Sequence, residues 1–553
     1  MTYIGTSDLA AGIKSFFSGD VEFDDKAIAQ YSHDASLFEV KPQLVVFPRS
    51  VDDVEKLVSY IADLKRKGYD VSLTGRSAGT DMTGGSLSQS IVVVFTRYFN
   101  HEPELGDGVV SSQPGVYYRD FEKITLKKGW LLPSYTASRE LCAIGGMVAN
   151  NSGGELTLTY GKTEHYIKEI KMVLRDGKEH TFRSLSEKEL KAKEQEDSIE
   201  GDIYRRLHKL ISANYAALQK ARPDASKNST GYYLWNVWDK EKKTFDINQV
   251  IVGSQGTFGL ITKATFSLIK PENKKCMLVM FLPNLDHLVE IVHAVLRYKP
   301  ESFESYDDHT FMMALRLFPQ IAARLKGNLM SLGIRFIPEG LIVLRHGMPK
   351  LVLMAEFADP SMHEARRQAL AAQKEIEATG IPSRVTHSKA DREKYWVIRR
   401  ESFNLLRQHV SKMRTAPFID DFAVRPEKLP EFLPRLNKIM SEYKGIIYTI
   451  AGHVGDGNFH IIPLMDLHKP ESRDIIKELG ERVYALVKEY HGTISGEHND
   501  GIIRTPYVEF MYGKKIYGLF QETKKIFDPD DVFNPGKKVN GDFEYAMEHI
   551  AQG

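Results

Sequence analysis

The 553-residue chain holds two cysteines, Cys142 and Cys276. Two thiols are too few for a disulfide framework, a cysteine-based zinc site or a cysteine-ligated iron–sulfur cluster within this chain. An excess of one charge is also missing: 74 Lys and Arg face 73 Asp and Glu, a formal net charge of +1. That balance excludes a protein held on nucleic acid by phosphate neutralisation and an acidic, solvating disordered chain. The longest unbroken apolar run, 276–282, is far short of the roughly 20 residues that span a bilayer. The first residues show no charged-then-apolar leader. The expectation is a cytoplasmic protein with no signal peptide or transmembrane segment, with peripheral attachment to a membrane left open. Neither Gly-x-Gly-x-x-Gly nor the Walker pattern occurs, so those two nucleotide-binding signatures give no support.

What is present is an ordinary globular composition, 42% apolar and 27% charged. At roughly 150 residues per domain the length suggests two to four domains. The first 40 residues look like a helical lead-in. Leu44 to Phe47 is a short apolar run, and Ser50 with Asp53 makes a capping box. Val54, Leu57, Val58, Ile61 and Leu64 keep helical spacing, and Gly68 ends the helix. A strand at 71–73, a small-residue loop at 74–85 and a buried strand at 91–95 complete an α/β unit. Residues 108–176 mix short strands with a second loop, rich in Gly, Asn and Ser, at 144–154. Residues 183–245 are more helical and charged and read as an insertion. Residues 250–268 return to strand, punctuated by Gly253, Gly256 and Gly259. The polar break at 271–275 is the best domain boundary. Beyond it, 285–298, 350–357 and 362–379 alternate helix and strand, indicating an α+β sheet covered by helices on one face.

The loop at 74–80 places Gly75, Arg76, Ser77, Ala78, Gly79 and Thr80 between two apolar strands. Successive small residues let backbone N–H groups converge on an anion such as a pyrophosphate. A tight turn is the competing reading. The loops at 144–154 and 253–262 repeat the pattern, and one long ligand running past several backbones explains three such loops better than three independent turns.

Near the C-terminus, Asp456-Gly457 is a two-residue hairpin signal. Pairing outward sets His453 directly opposite His460, close enough for two imidazoles to converge on one metal ion. Two structural histidines bonded to backbone remain the alternative. Glu497 and His498 follow another small-residue run; alone they read as a solvated loop pair. Trp396, Arg399, Phe403, Leu406 and Val410 recur at helical spacing, with Arg399 the one charge in that stripe. A buried guanidinium needs an anionic partner, though it can also snorkel.

Segments 42–50, 75–85, 113–115, 144–154, 160–162, 253–262, 453–460, 496–501 and 534–537 together resemble the FAD-linked D-2-hydroxy-acid dehydrogenases of the vanillyl-alcohol-oxidase superfamily, in order along nearly the whole chain. The resemblance implies an α+β protein. A two-lobed PCMH-type FAD-binding domain would span 1–273, with a helical insertion at about 183–245. A substrate- and metal-binding cap domain with a ferredoxin-like sheet would span 274–525, and 526–553 would return to the FAD domain. It assigns cofactor contact to Gly75, Arg76, Ser77, Ala78, Gly79, Thr80, Gly145, Gly146, Asn150, Ser152, Gly154 and Ile261. Binding is expected to be non-covalent, because the first loop lacks the histidine some relatives attach to the flavin. His453, His460 and Glu497 inherit a divalent metal (Zn, Mn or Fe), His498 the role of base, and Arg399 the substrate carboxylate, with Arg400 its competitor if the helix is rotated.

The implied reaction is hydride transfer from a D-2-hydroxy acid to flavin, giving the 2-oxo acid. Three departures stand out. Ala143 replaces a frequent Thr. Ile462 replaces an Asn of the D-2-hydroxyglutarate type, and Ile419 replaces its lysine, both of which favour a lactate-like monocarboxylate. Electrons would leave to a separate acceptor: an iron–sulfur subunit, an electron-transfer flavoprotein or a quinone. A silent flavoprotein subunit and a non-redox enzyme of the alkyl-glycerone-phosphate synthase type are the alternatives, and near-zero charge leaves a homodimer open.

Overall fold

The computed structural model describes residues 2–308, 310–312, 336–409, 413–443 and 446–551. The first sheet is built from the most apolar short runs. Leu44–Phe47 and Leu73–Arg76 both pair in parallel with Ile91–Val94, and Asp20–Glu22 adds an antiparallel edge. Leu44–Phe47 and Ile91–Val94 are buried at every residue, as strands covered on both faces must be. Helix Val51–Arg66 carries the expected capping box of Ser50 and Asp53. Its stripe of Val54, Leu57, Val58 and Ile61 packs into the core of this lobe, and Gly68 follows its end at φ +88°.

A second, five-stranded antiparallel sheet runs Glu104–Leu105, Val109–Ser112, Leu260–Ser267, Ile167–Val173, Glu179–Arg183. The 183–245 stretch holds helices Glu187–Glu194 and Ile199–Ala221 and a small sheet of two-residue strands. Among the described residues, the eight strands of the third sheet all come from 274–465. In its strand Lys274–Leu282, next to the edge strand Ser383–Val385, Cys276, Leu278, Met280 and Leu282 join the core under helices Leu288–Leu296 and Met362–Glu375. Met277, Val279 and Phe281 face Tyr395, Trp396 and Ile398 of helix Lys389–His409. Helices therefore cover both faces of this strand, not one. Its unbroken apolar run is the signature of two-sided burial.

Two stretches read as loop or strand prove helical. Ile144–Asn150 is a helix despite Gly145 and Gly146, because tertiary packing outweighs glycine's propensity: a Cβ on Gly145 would sit 2.6 Å from Pro114 Cβ and from Ser77 Oγ. Asn248–Ile251 is a helical turn, and strand begins only at Leu260. The C-terminal segment returns to the first sheet: the Asn534 amide donates to Leu73 O at 2.9 Å, and its side chain donates to Gly85 O and Gln255 O. Among the described residues no helix is long and apolar enough to cross a membrane.

Candidate active site

A cavity of about 830 Å³ lies between the two N-terminal sheets and the third. One wall is backbone and small side chains. Gly75, Arg76, Ser77, Ala78, Gly79, Thr80, Gly145, Gly146, Asn150, Ser152 and Ile261 all line it, as do Ala143 and Gln255. A Cβ on Gly146 would meet nothing within 4 Å, so this helix presents bare backbone to open space. The Arg76 guanidinium turns away and donates to Tyr31 O and His33 O. Asn150 is held by Asp81, whose carboxylate also accepts from the Thr83 and Gly85 amides. Gly154 is not part of this wall: it packs on the Tyr135 carbonyl, which a Cβ would strike. Its small size serves packing rather than ligand access.

The facing wall carries charge. Strands Ile447–His453 and Asn458–Met465 form the expected hairpin, but the connection is four residues, 454–457, with a 3₁₀ turn over Val454–Asp456. His453 therefore pairs with Asn458, and His460 with Ala451. An offset of two residues preserves the side-chain face, so both imidazoles still point the same way, ring centroids 5.3 Å apart. The wider turn is stabilised from outside: the Val424 amide donates to Gly457 O at 3.0 Å, and Gly457 takes φ +63°.

Asp421 shapes the second functional loop. Its carboxylate accepts from the Glu497 and His498 amides and from Ser495 Oγ. The loop so folded delivers Glu497 Oε1 to within 3.2 Å of His453 Nε2, 3.3 Å of His460 Nε2 and 3.9 Å of His498 Nε2. The outer nitrogens meet carboxylates: His453 Nδ1 lies 2.6 Å from Glu304, while His460 Nδ1 and His498 Nδ1 lie 3.1 Å and 2.9 Å from the two oxygens of Asp420. Lys227 closes the cluster behind Glu497 Oε2 at 3.3 Å. Ligand-type atoms of Asp421, His460, Glu497 and His498 all fall within 4.8 Å of one another.

Burial works against every charge here, and the partners overcome it. For Glu497, burial favours the neutral acid, yet Lys227 and His453 hold its pKa well below the carboxylate range. Burial would lower the His460 pKa, but Asp420 and Glu497 push it up to about 10. His498 is likewise raised against burial by Asp421 and Asp420. Glu304, though buried, is brought down to about 2 by Arg399 and His453.

Arg399 and Arg400 both reach the cavity wall. Arg399 Nε sits 2.6 Å from Glu304 Oε2, beside the imidazoles. Arg400 instead grips Glu155, which does not line the cavity, with contacts of 2.6 and 2.8 Å. Val410 and the side chains of Phe403 and Leu406 lie outside the described residues. Ile462 lines the cavity with Val397, but Ile419 is fully buried away from it, so its apolar character says nothing about a substrate.

Sequence reasoning missed Glu304, Asp420, Lys227 and Glu155. The only local signals were the Asp420-Asp421 doublet and the lone glutamate of Ser302–Asp307, a strand that proves buried at every residue.

Residues 42–183 match the model of an FAD binding domain, and residues 270–538 that of the FAD linked oxidases, C-terminal domain. The chain belongs to the FAD-linked oxidases. It is 26% identical over 533 residues to a D-2-hydroxyglutarate dehydrogenase of Pseudomonas putida, covering 95% of this chain and 51% of that one. The chain thus spans about half the length of the first relatives it matches. It is 25% identical to a D-lactate dehydrogenase of Archaeoglobus fulgidus, covering 92% of this chain and 96% of that one. The fold is shared with p-cresol methylhydroxylase, TM-score 0.66 at 13% identity, covering 97% of each chain. An alkyldihydroxyacetonephosphate synthase shares it too, TM-score 0.65 at 15% identity, over 96% of this chain and 85% of that one. The two-lobed N-terminal half of this FAD-linked oxidase is therefore a PCMH-type FAD-binding fold, and the charged wall belongs to its C-terminal domain.

Proposed function

We propose that this FAD-linked oxidase oxidises a D-2-hydroxy acid to the 2-oxo acid. The observation that carries the reading is the opposition of the two walls: bare backbone on one side, Arg399 and three converging imidazoles on the other. FAD fits the first wall, where Gly75, Arg76, Ser77, Ala78, Gly79 and Thr80 would take the pyrophosphate with their backbone. Gly145, Gly146, Asn150, Ser152 and Ile261 would flank the ring system. The bound flavin supplies the hydride acceptor.

The chain's own groups then divide the work. Arg399 orients the substrate carboxylate by paired N–H donors. His498 Nε2 accepts the hydroxyl proton, and Asp420 at its Nδ1 stabilises the resulting imidazolium. His453, His460 and Glu497 are a donor set that fits a divalent cation such as Zn, Mn or Fe, and carboxylates behind the imidazoles are the usual support for such ligands. An ion held there would polarise the substrate hydroxyl. Val397 and Ile462 give the substrate tail an apolar surface, and Glu155 already neutralises Arg400. Both features favour a lactate-like monocarboxylate over a dicarboxylate. Electrons then pass to a separate acceptor: an iron–sulfur subunit, an electron-transfer flavoprotein or a quinone.

The test is the visible spectrum of the purified protein under anaerobic conditions with a panel of D- and L-2-hydroxy acids. Bleaching of the flavin band by D-lactate or a close homologue supports the reading. A flavin band that no acid bleaches refutes it in favour of a silent subunit or non-redox chemistry.

A further inference from the structure

Glu304 is 1% exposed and sits on strand Ser302–Asp307. That strand pairs antiparallel with the first histidine strand, Ser305 opposite Gly452 and Tyr306 opposite Ala451. Continuing the register by one residue sets Glu304 beside His453. Its two oxygens go to different masters: Oε1 lies 2.6 Å from His453 Nδ1, and Oε2 lies 2.6 Å from Arg399 Nε. We propose that Glu304 is a positioning residue that couples the substrate-carboxylate clamp to the imidazole cluster through a single carboxylate. The inference rests on the 2-hydroxy-acid reading above.

A buried ion pair can also be a plain clip between helix and sheet. The same helix has such a clip one strand over: Arg392 Nε lies 2.6 Å from Glu356, and neither residue lines the cavity. Glu304 differs because both of its partners do line the cavity. It lies against Nδ1 of His453, which holds the ring with Nε2 toward the Glu497 cluster. At the same time it fixes Arg399 by Nε, which sets the plane of the guanidinium. Asp420 is the natural comparison. It serves His460 and His498 at their Nδ1 atoms, and its other partner is the backbone-directed Arg504, which donates to Asp420 O. It supports imidazoles without touching the clamp.

Glu304→Gln keeps the shape but cannot serve both partners. With its oxygen toward Arg399, its NH₂ donates to His453 Nδ1 and forces the proton onto Nε2. With its oxygen toward His453, its NH₂ confronts the Arg399 Nε–H. The experiment uses the holoenzyme and two readouts. Oxamate, a non-reducing anion, is titrated and followed by its perturbation of the flavin band. Flavin reduction at saturating D-2-hydroxy acid is followed anaerobically.

The expected result for Glu304→Gln is a loss of about 10- to 100-fold in both oxamate affinity and reduction rate, the usual cost of removing such support. Asp420→Asn is expected to slow reduction while leaving oxamate affinity within about twofold. Glu356→Gln, which breaks a clip outside the cavity, is expected to change neither. Should Glu304→Gln not yield holoenzyme, Glu304→Asp shortens the same bridge and is expected to impair both readouts, with partial activity. A Glu304 variant that slows reduction with oxamate affinity intact, or the reverse, overturns the coupling. So does Glu356→Gln matching Glu304→Gln in both readouts. If no 2-hydroxy acid reduces the wild-type flavin, the reading of the reaction falls first, and this inference with it; separable effects in an active wild type sink the inference alone.

Discussion

The two walls of the cavity are built on opposite principles. The N-terminal wall works by what it withholds. Arg76, its one cation between Gly75 and Thr80, is spent on the carbonyl oxygens of Tyr31 and His33, and Gly146 leaves room that a side chain would fill. The C-terminal wall works by what it presents, and each presented group is braced from behind: His453 by Glu304, His460 and His498 by Asp420, Glu497 by Lys227. A large ligand held by backbone needs space and donors. Proton and anion chemistry needs side chains in one tautomer and one orientation, so burial there is matched by partners.

The comparison can be broken hardest on the charged side. Replacing His498 by Ala is expected to cut the rate of flavin reduction by about 10²- to 10⁴-fold while flavin content, read from the absorbance ratio, stays at the wild-type level. Loss of flavin instead would place His498 in the cofactor site. Arg399→Lys keeps the charge but loses the planar fork, and is expected to raise KM for the hydroxy acid by about tenfold or more.

On the small-residue wall the two adjacent glycines separate space for ligand from space for packing. Gly146→Val is expected to weaken FAD retention with little change in the melting temperature of the apoprotein. Gly145→Ala pushes a Cβ to 2.6 Å from Pro114 and Ser77, and is expected to destabilise the apoprotein by about 1–3 kcal/mol, read by denaturant unfolding. If both glycines behave alike, the wall is packing throughout.

A smaller effect tests the tail of the site. Ile462→Asn adds a polar group to the cavity, and is expected to shift kcat/KM from D-lactate toward D-2-hydroxyglutarate by roughly 10-fold. The smallest effect lies away from the cavity, at an imidazole braced in the same manner. His180 sits between Asp176 and Glu200; burial opposes its charge, but the two carboxylates raise its pKa from the ordinary 6.5 to about 9. A folded pKa above the unfolded one means stability fully present below pH 6.5 and lost as pH rises through 9. Screening limits this to about 1 kcal/mol or less. His180→Gln is expected to flatten the unfolding free energy over that window without altering flavin reduction. A change in reduction would show that a braced imidazole outside the cavity also serves the site.

Much of this was legible in local sequence. The capping box at Ser50 and Asp53, the apolar strands at 44–47 and 91–94, and the small-residue run at 75–80 depend on neighbours within a few residues. The histidine hairpin was legible in a weaker sense: the turn came out two residues longer than Asp456-Gly457 implies, yet the shared face survived because side chains alternate with period two. Gly145 and Gly146 misled, because helix propensity is weak beside the packing of Gly145 on Pro114.

The chain by itself therefore determined which residues were small, which were titratable and which shared a strand face, since these follow from composition and short-range periodicity. Only the tertiary structure decided who braces whom. Glu304 and His453 are 149 residues apart, Lys227 and Glu497 are 270, and Arg400 and Glu155 are 245. Burying any one of these charges is unfavourable until its partner arrives, and no local pattern specifies which distant strand or loop brings it.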